Sequence, residues 1–339
     1  MLNLACVGLG YWGPNVLRAF AGLDGCRLVA ACDQDPARRE RLRRSYPELT
    51  LTGDYGELLR DPRIEAVAIT TPAVTHHRLA RAALEAGRHV FVEKPLAVSS
   101  REAEDLVRLA EERGLVLMVG HLLQFHPAVQ LLRRYLDEGR LGKVLYLYST
   151  RVNLGQVRKD ENALWSLAPH DVSVFLYLLG QTPVAVRAVG GTYLQAGVED
   201  VVFLTCEFAD GVLAHSHLSW LDPHKLRKFT VVGTKMMAVF DDMEPVEKIR
   251  LYDKGVDAPA DFRSYGEFLT LRSGDVYIPK LSMEEPLLVE CRHFLECVRE
   301  KRRPLTDGRA GLAVVRVLEA AAASLRTGGT PVPVEAPSC

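Results

Sequence analysis

Gly8-Leu9-Gly10-Tyr11-Trp12-Gly13 follows the apolar run Leu2–Val7 and opens a stretch of helical periodicity at Asn15–Leu23. A GxGxxG set between a strand and a helix is the context in which such glycines carry meaning. The first glycine permits a tight turn, the second lets the backbone approach a pyrophosphate, and the third allows close helix–strand packing. The helix start supplies unpaired N–H groups and the positive end of the helix dipole. Asp33 closes the next apolar run, Arg27–Cys32, about 20 residues past the last glycine, where an acid is wanted for the ribose hydroxyls. Gly8, Gly10, Tyr11, Trp12, Gly13 and Asp33 are therefore the first cofactor-binding candidates. A carboxylate at Asp33 repels a 2′-phosphate and Gln34 adds no cation, which favours NAD over NADP; Arg38 and Arg39 keep NADP open.

Outward from that loop, strand and helix signals alternate. Ile64–Thr70, His89–Val92 and Val116–Val119 read as strands, and Ala37–Tyr46, Val74–Ala86 and Arg101–Arg113 as helices. Short strands separated by helices imply βαβ units and a parallel sheet, and near-continuous apolar strands imply helices on both its faces. After residue 120 the pattern changes. Val129–Leu136 and Leu164–Leu179 read as helices, followed by β-rich runs at Val184–Val189, Val201–Phe208, Val212–Trp220, Phe229–Val232 and Ala238–Phe240. Hairpin-length gaps between them predict an antiparallel sheet. Two helices follow, about Glu284–Glu300 and Gly308–Thr327. The expected fold is α/β: a Rossmann domain over 1–122 and a C-terminal α+β domain with a large open, mostly antiparallel sheet over 123–339.

The 339 residues carry 42 Lys+Arg against 43 Asp+Glu, a net charge of −1, which excludes the electrostatic footprint of a nucleic-acid or acidic-membrane binder. No stretch approaches the ~20 apolar residues of a membrane span. Seven cysteines, an odd number without a CxxC pair, suit a reducing cytoplasm rather than a disulfide framework. The chain enters its first strand with no basic leader.

Glu93-Lys94-Pro95 follows the strand His89–Val92, at the carboxyl edge of the parallel sheet, where open α/β folds bind ligands. An ammonium at Lys94 can hold a substrate hydroxyl and the nicotinamide ribose, and Pro95 biases Lys94 to extended conformations. Farther on, 151–162 reads as a loop rich in long polar donors that leads into the helix Leu164–Leu179 and rims the cleft, with Asn153, Gln156 and Arg158 suited to sugar hydroxyls, an acetamido group or a phosphate. His215 and His217 alternate on a strand without a matching carboxylate or cysteine cluster, so no metal is expected.

The glycine loop, Thr71-Pro72 with His76, and Glu93-Lys94-Pro95 together resemble the Gfo/Idh/MocA oxidoreductases over nearly the whole chain. The resemblance implies oxidation or reduction of sugars and cyclitols with NAD(P), with Thr71, Pro72, His76, Glu93 and His121 bordering the cofactor. It also implies an Asp and a His four residues apart on the first helix of the second domain. Here Leu164-Trp165-Ser166-Leu167-Ala168-Pro169-His170-Asp171 puts His170 in the histidine place and Ser166 in that of the acid. Residues four apart share a helix face, so both would meet substrate, but serine carries no charge to orient the imidazole. Asp171 reads as an outward or capping group. The implied catalytic pair is Lys94 and His170, one taking the hydroxyl proton and the other holding the oxygen, with the roles exchangeable. With Trp165, the region resembles the branch acting on nucleotide-activated amino sugars, such as UDP-N-acetylglucosamine 3-dehydrogenases; Lys225, Arg227 and Lys228 are then candidate phosphate contacts. Open alternatives are an NADPH-dependent keto-sugar reductase, a cyclitol or aldose dehydrogenase, and a non-catalytic cofactor sensor. The large open sheet that the resemblance implies predicts a homodimer or homotetramer, because its exposed face invites a second copy.

Overall fold

The computed structural model describes residues 1–155, 161–257, 270–282 and 284–335. The chain alternates β1 (Leu2–Val7), α1 (Gly13–Ala21), β2 (Cys26–Cys32), α2 (Pro36–Ser45), β3 (Thr50–Thr52), α3 (Tyr55–Arg60), β4 (Ala66–Ile69), α4 (His76–Glu85), β5 (His89–Glu93), α5 (Ser100–Arg113) and β6 (Leu117–Gly120). The six strands form one parallel sheet in the order β3-β2-β1-β4-β5-β6. Strand order reverses between β1 and β4, and ligands bind at the carboxyl ends of strands at such a switch point. Every residue of β4 and β6 is buried, as expected of strands covered on both faces.

The chain continues through α6 (Pro127–Asp137), β7 (Val144–Val152), α7 (Ala163–Leu179), β8 (Ala185–Gly191), β9 (Val201–Glu207), β10 (Leu213–Ser219), β11 (Leu226–Gly233), β12 (Met237–Asp241), β13 (Ile249–Asp257), β14 (Thr270–Tyr277), α8 (Pro286–Glu300), α9 (Gly308–Arg326) and β15 (Val332–Pro333). Nine strands form a mixed sheet ordered β14-β13-β12-β11-β7-β10-β9-β8-β15. It is antiparallel except where β7 pairs with β10. The inward positions Leu147, Leu204, Ala214, Leu218 and Phe229 are buried, and Phe175 of α7 packs edge-on against Phe229 at 5.5 Å between ring centres.

The compact units are not two consecutive stretches. Met1–Phe125 and Glu284–Arg316 form one, and the other starts at His126 and resumes at Val317. This differs from a single boundary near 122, and the reason is packing. Phe294 of α8 meets Phe20 of α1 and Phe91 of β5 in an edge-to-face triad with centroids 5.6 to 6.0 Å apart. Such pairs contribute about 0.5–1.5 kcal/mol each beyond their burial. After α8, Thr306 accepts from the Val119 N–H at 2.8 Å and its hydroxyl donates to the Val119 carbonyl at 2.7 Å. That closes the exposed edge of β6, which would otherwise invite pairing with another chain.

Candidate active site

The glycine loop is shaped by two steric demands. Gly8 has φ +91°, and a Cβ there would lie 2.9 Å from the Thr70 carbonyl. At Gly13 a Cβ would come within 2.0 Å of the Gly8 carbonyl, so only glycine lets α1 start against that turn. In front of Gly10 a Cβ would meet only Arg38, at 3.6 Å, which leaves its backbone open to a ligand. No side chain caps the start of α1 and its first turn carries no acid, so the terminal N–H groups are left for an anion. These features fit the diphosphate of a dinucleotide.

Asp33 follows β2 and is buried beside the loop. Its carboxylate accepts from the Leu9 N–H at 2.6 Å and the Asp35 N–H at 2.9 Å, with Arg38 at 3.4 Å. Two backbone donors fix its orientation, and a carboxylate has lone pairs to spare for ribose hydroxyls. Tyr11 is almost fully exposed. Trp12 donates its indole N–H to Glu93 at 2.7 Å, which ties the loop to the end of β5.

Glu93 is the centre of this edge. Burial pushes its pKa up to about 7 despite the opposing Lys94 charge and the Trp12 hydrogen bond. Lys94 follows, and its bond to Pro95 is cis. His76 is buried, with ring nitrogens 2.7 Å from the Pro95 carbonyl and 2.8 Å from that of Thr71, so it fastens the loop after β4 to the Glu-Lys-Pro turn. The ring therefore serves the loops with both nitrogens. Pro72 caps the short helical turn 73–75, where the Thr71 and Thr75 hydroxyls lie 2.7 Å apart. His121, just past β6, is buried; burial first and the Lys94 charge second pull its pKa down to about 3. Neither of its ring nitrogens has a hydrogen-bond partner among the described residues. A neutral imidazole with both edges unused beside a cationic lysine is a site built to receive something polar.

Another group was not foreseen. Glu290 of α8 is 0% exposed and both its carboxyl oxygens lack a partner among the described residues. Burial raises its pKa well above the ordinary carboxyl value, and the charge of Glu93 adds to the shift. The signal was available: Glu290 lies on the apolar stripe Leu287, Cys291, Phe294, where periodicity calls for a hydrophobe.

In the other unit, α7 carries Trp165, Ser166 and His170. Asn162 caps it by accepting from the Trp165 N–H at 3.1 Å, and Gly180 ends it in the left-handed conformation. Ser166 is buried, whereas Trp165 and His170 are half-buried. Asn153 follows β7 and prolongs its pairing with β10 through its N–H to the Ser219 carbonyl at 3.1 Å. Gln156 and Arg158 lie outside the described residues. Asp171 is not outward: it is 0% exposed. It accepts from Arg151 Nε at 2.7 Å and from the Ser149 and Ser216 hydroxyls at 2.9 and 2.8 Å. The turn bearing His170 is thereby anchored to β7 and β10. Of the basic residues after β10, Lys228 pairs with Asp241 at 3.0 Å and Arg227 with Asp242 at 3.5 Å. His217 stacks on Phe203 at 4.6 Å and His215 lies 3.2 Å from the Thr205 hydroxyl.

Among known proteins, an oxidoreductase family with an NAD-binding Rossmann fold matches residues 2–121, and the GFO/IDH/MocA C-terminal domain matches 129–239. The UDP-N-acetylglucosamine 3-dehydrogenase of Acidithiobacillus ferrooxidans is 31% identical, covering 93% of this chain and 94% of that protein. The 2,7-anhydro-N-acetylneuraminate hydratase of Escherichia coli is 28% identical, covering 74% and 70%. The solved structure of UDP-N-acetylglucosamine 3-dehydrogenase GnnA from Acidithiobacillus ferrooxidans superposes with a TM-score of 0.81 at 25% identity, covering 96% of this chain and 98% of that one.

Proposed function

The chain belongs to the Gfo/Idh/MocA oxidoreductase family, and from that premise we propose that it oxidises a ring hydroxyl, at C3, of a nucleotide-activated amino sugar such as UDP-N-acetylglucosamine, with NAD. The observation that carries this reading is Lys94, placed after a buried carboxyl and beside a neutral, unpartnered imidazole at the carboxyl edge of the parallel sheet. The full-length likeness to an enzyme of that name supports the substrate class.

Gly8, Gly10 and Gly13, with the uncapped start of α1, would hold the dinucleotide, and Asp33 its adenosine ribose. Thr71, Pro72, His76, Glu93 and His121 would border its other half. When bound, the nicotinamide supplies the hydride acceptor. The chain's own residues do the rest. The Lys94 ammonium donates a hydrogen bond to the substrate oxygen and stabilises the negative charge that develops there. His170, whose ordinary pKa lies near 6.5, takes the hydroxyl proton. The two roles can be exchanged, and the pH profiles of single variants separate them. Ser166 gives α7 a hydroxyl, not a charge, on that face, so position 166 itself supplies no carboxylate to orient the imidazole. Asn153, Gln156, Arg158 and Trp165 would recognise the sugar.

NAD is favoured by the Asp33 carboxylate. The reading of an NADPH-dependent keto-sugar reductase draws on Arg38, 3.4 Å from that carboxylate and facing Gly10. Reduced-nicotinamide absorbance with NAD and NADP against a panel of nucleotide sugars, cyclitols and aldoses decides between them. Cofactor binding without turnover on any of them would instead mark a sensor.

One face of the nine-stranded sheet exposes the register pairs Tyr146–Leu213 and Val189–Phe203 together with Tyr148, with the two tyrosine rings stacked at 6.3 Å and His215 and His217 between the groups. Exposed aromatic and aliphatic groups grouped on one sheet face invite a second copy, which supports a homodimer or homotetramer. Tyr148→Arg would then lower the mass seen by light scattering. Six free cysteines among the described residues, five of them buried, support a cytoplasmic setting. Among the described residues no helix is long and apolar enough to cross a membrane.

A further inference from the structure

Arg151 is the penultimate residue of β7, 9% exposed, and was not among the residues the sequence singled out. Its guanidinium carries five N–H donors in a planar fork. Only Nε is used among the described residues, on Asp171 Oδ1 at 2.7 Å. A pair made for stability alone is commonly bidentate, with two parallel N–H···O bonds. That is blocked here, because Asp171 Oδ2 is already taken by the Ser149 and Ser216 hydroxyls. Asp171 therefore holds the guanidinium from one side and leaves both terminal nitrogens to face something else. Unused donors on a nearly buried guanidinium are costly unless water or a ligand meets them.

A second guanidinium stands beside the first. Arg227 of β11 is the antiparallel register partner of Arg151, so both project from the same sheet face. Directly opposed residues have Cβ atoms about 5 Å apart, and like charges so placed repel. Among the described residues Arg227 has one carboxylate partner, Asp242, at the long distance of 3.5 Å. An anion between the two forks converts the repulsion into two charge-assisted contacts. The position suits substrate, since β7 leads into Asn153 and Asp171 adjoins His170 on α7.

We propose that Arg151 and Arg227 together bind anionic oxygens of the substrate, with Asp171 as the residue that positions Arg151. Such oxygens come from two sources, the phosphates of a sugar nucleotide or the carboxylate of a uronic sugar. The identity of the molecule rests on the sugar-dehydrogenase reading; the anion site itself does not.

The test is calorimetric titration of the full chain with uridine diphosphate, UDP-N-acetylglucosamine and the corresponding UDP-N-acetylglucosamine uronate. Wild type is compared with Arg151→Lys and Arg227→Gln, with thermal melts to confirm folding. Arg227 is half-exposed, so its variant keeps the test valid if Arg151→Lys does not fold. The expected result is a loss of affinity of about tenfold or more in each folded variant. Loss already seen with uridine diphosphate assigns the phosphates, and loss confined to the uronate assigns the carboxylate. Affinities unchanged in Arg227→Gln for all three ligands, or no binding of any of them to wild type, would overturn the proposal. Arginine-dependent binding without reduced nicotinamide appearing would leave the anion site standing and remove the dehydrogenase reading.

Discussion

Asp171 on α7 and Glu290 on α8 are both 0% exposed, yet their surroundings are opposite. Asp171 is met by two hydroxyls and a guanidinium. Glu290 meets no donor among the described residues and has the Glu93 charge nearby. A buried carboxyl with three donors is a fastening: it holds the His170 turn to the sheet. A buried carboxyl with none has its pKa pushed up, because burial and a neighbouring negative charge both oppose ionisation. The first region is built for position. The second, with Glu93 at about 7 and His121 at about 3, is built around groups displaced from their ordinary titration. Such displacement clusters at reactive sites.

If the second region is the reactive one, the largest effect belongs to Lys94. Lys94→Ala is expected to lower kcat by about 10³-fold or more, with nicotinamide cofactor affinity, read by fluorescence titration, within a few fold of wild type. Retained activity would move the chemistry elsewhere. The next test sets the two carboxyls against each other. Asp171→Asn removes a charge that compensates Arg151 and should cost about 3–5 kcal/mol in urea unfolding. Glu290→Met removes an unpartnered group and should be neutral or stabilising by about 1–2 kcal/mol. Equal losses in the two variants would dissolve the contrast.

The pH dependence sharpens it. A carboxyl whose folded pKa is raised binds a proton in the native state that the unfolded chain has already released. Its contribution to stability is therefore complete at low pH and lost as pH rises. For Glu93 the window runs from the ordinary value of 4.5 to about 7. Wild-type stability should fall across that window, and Glu93→Gln should flatten part of the fall, the remainder belonging to other titrating groups. The smallest effect is expected at Arg38, which is half-exposed and 3.4 Å from Asp33. Arg38→Gln should change the Kd for NAD by no more than a few fold, and a much larger loss for NADP would favour the reductase reading.

The parallel sheet was legible because its strands are continuous apolar runs between amphipathic helices, and the glycine loop because its spacing encodes sterics. β7 escaped notice, although it lies in the middle of the nine-stranded sheet. Its inward residues Leu147, Ser149 and Arg151 mix apolar with polar, and alternation is readable only when one face is greasy. β3 has three residues, too few to show a period. The return of α8 depends on Phe294 finding Phe20 and Phe91, a contact between distant parts of the chain that no local pattern announces. At the candidate site, Lys94, His121 and Asp33 were proposed from their places at strand ends, and the structure puts each just past its strand. Asp171 was misread as outward, because a helix acid is usually solvated and its partners come from β7 and β10.

The central claim is that Lys94 and His170 act on one substrate hydroxyl. A crystal soaked with NAD and UDP-N-acetylglucosamine tests it most directly. The account predicts the Lys94 Nζ and a His170 ring nitrogen within about 3 Å of the same sugar oxygen, on the ring carbon facing the nicotinamide. A bound sugar whose oxygen at that carbon touches neither residue, or only residues other than these two, would contradict it.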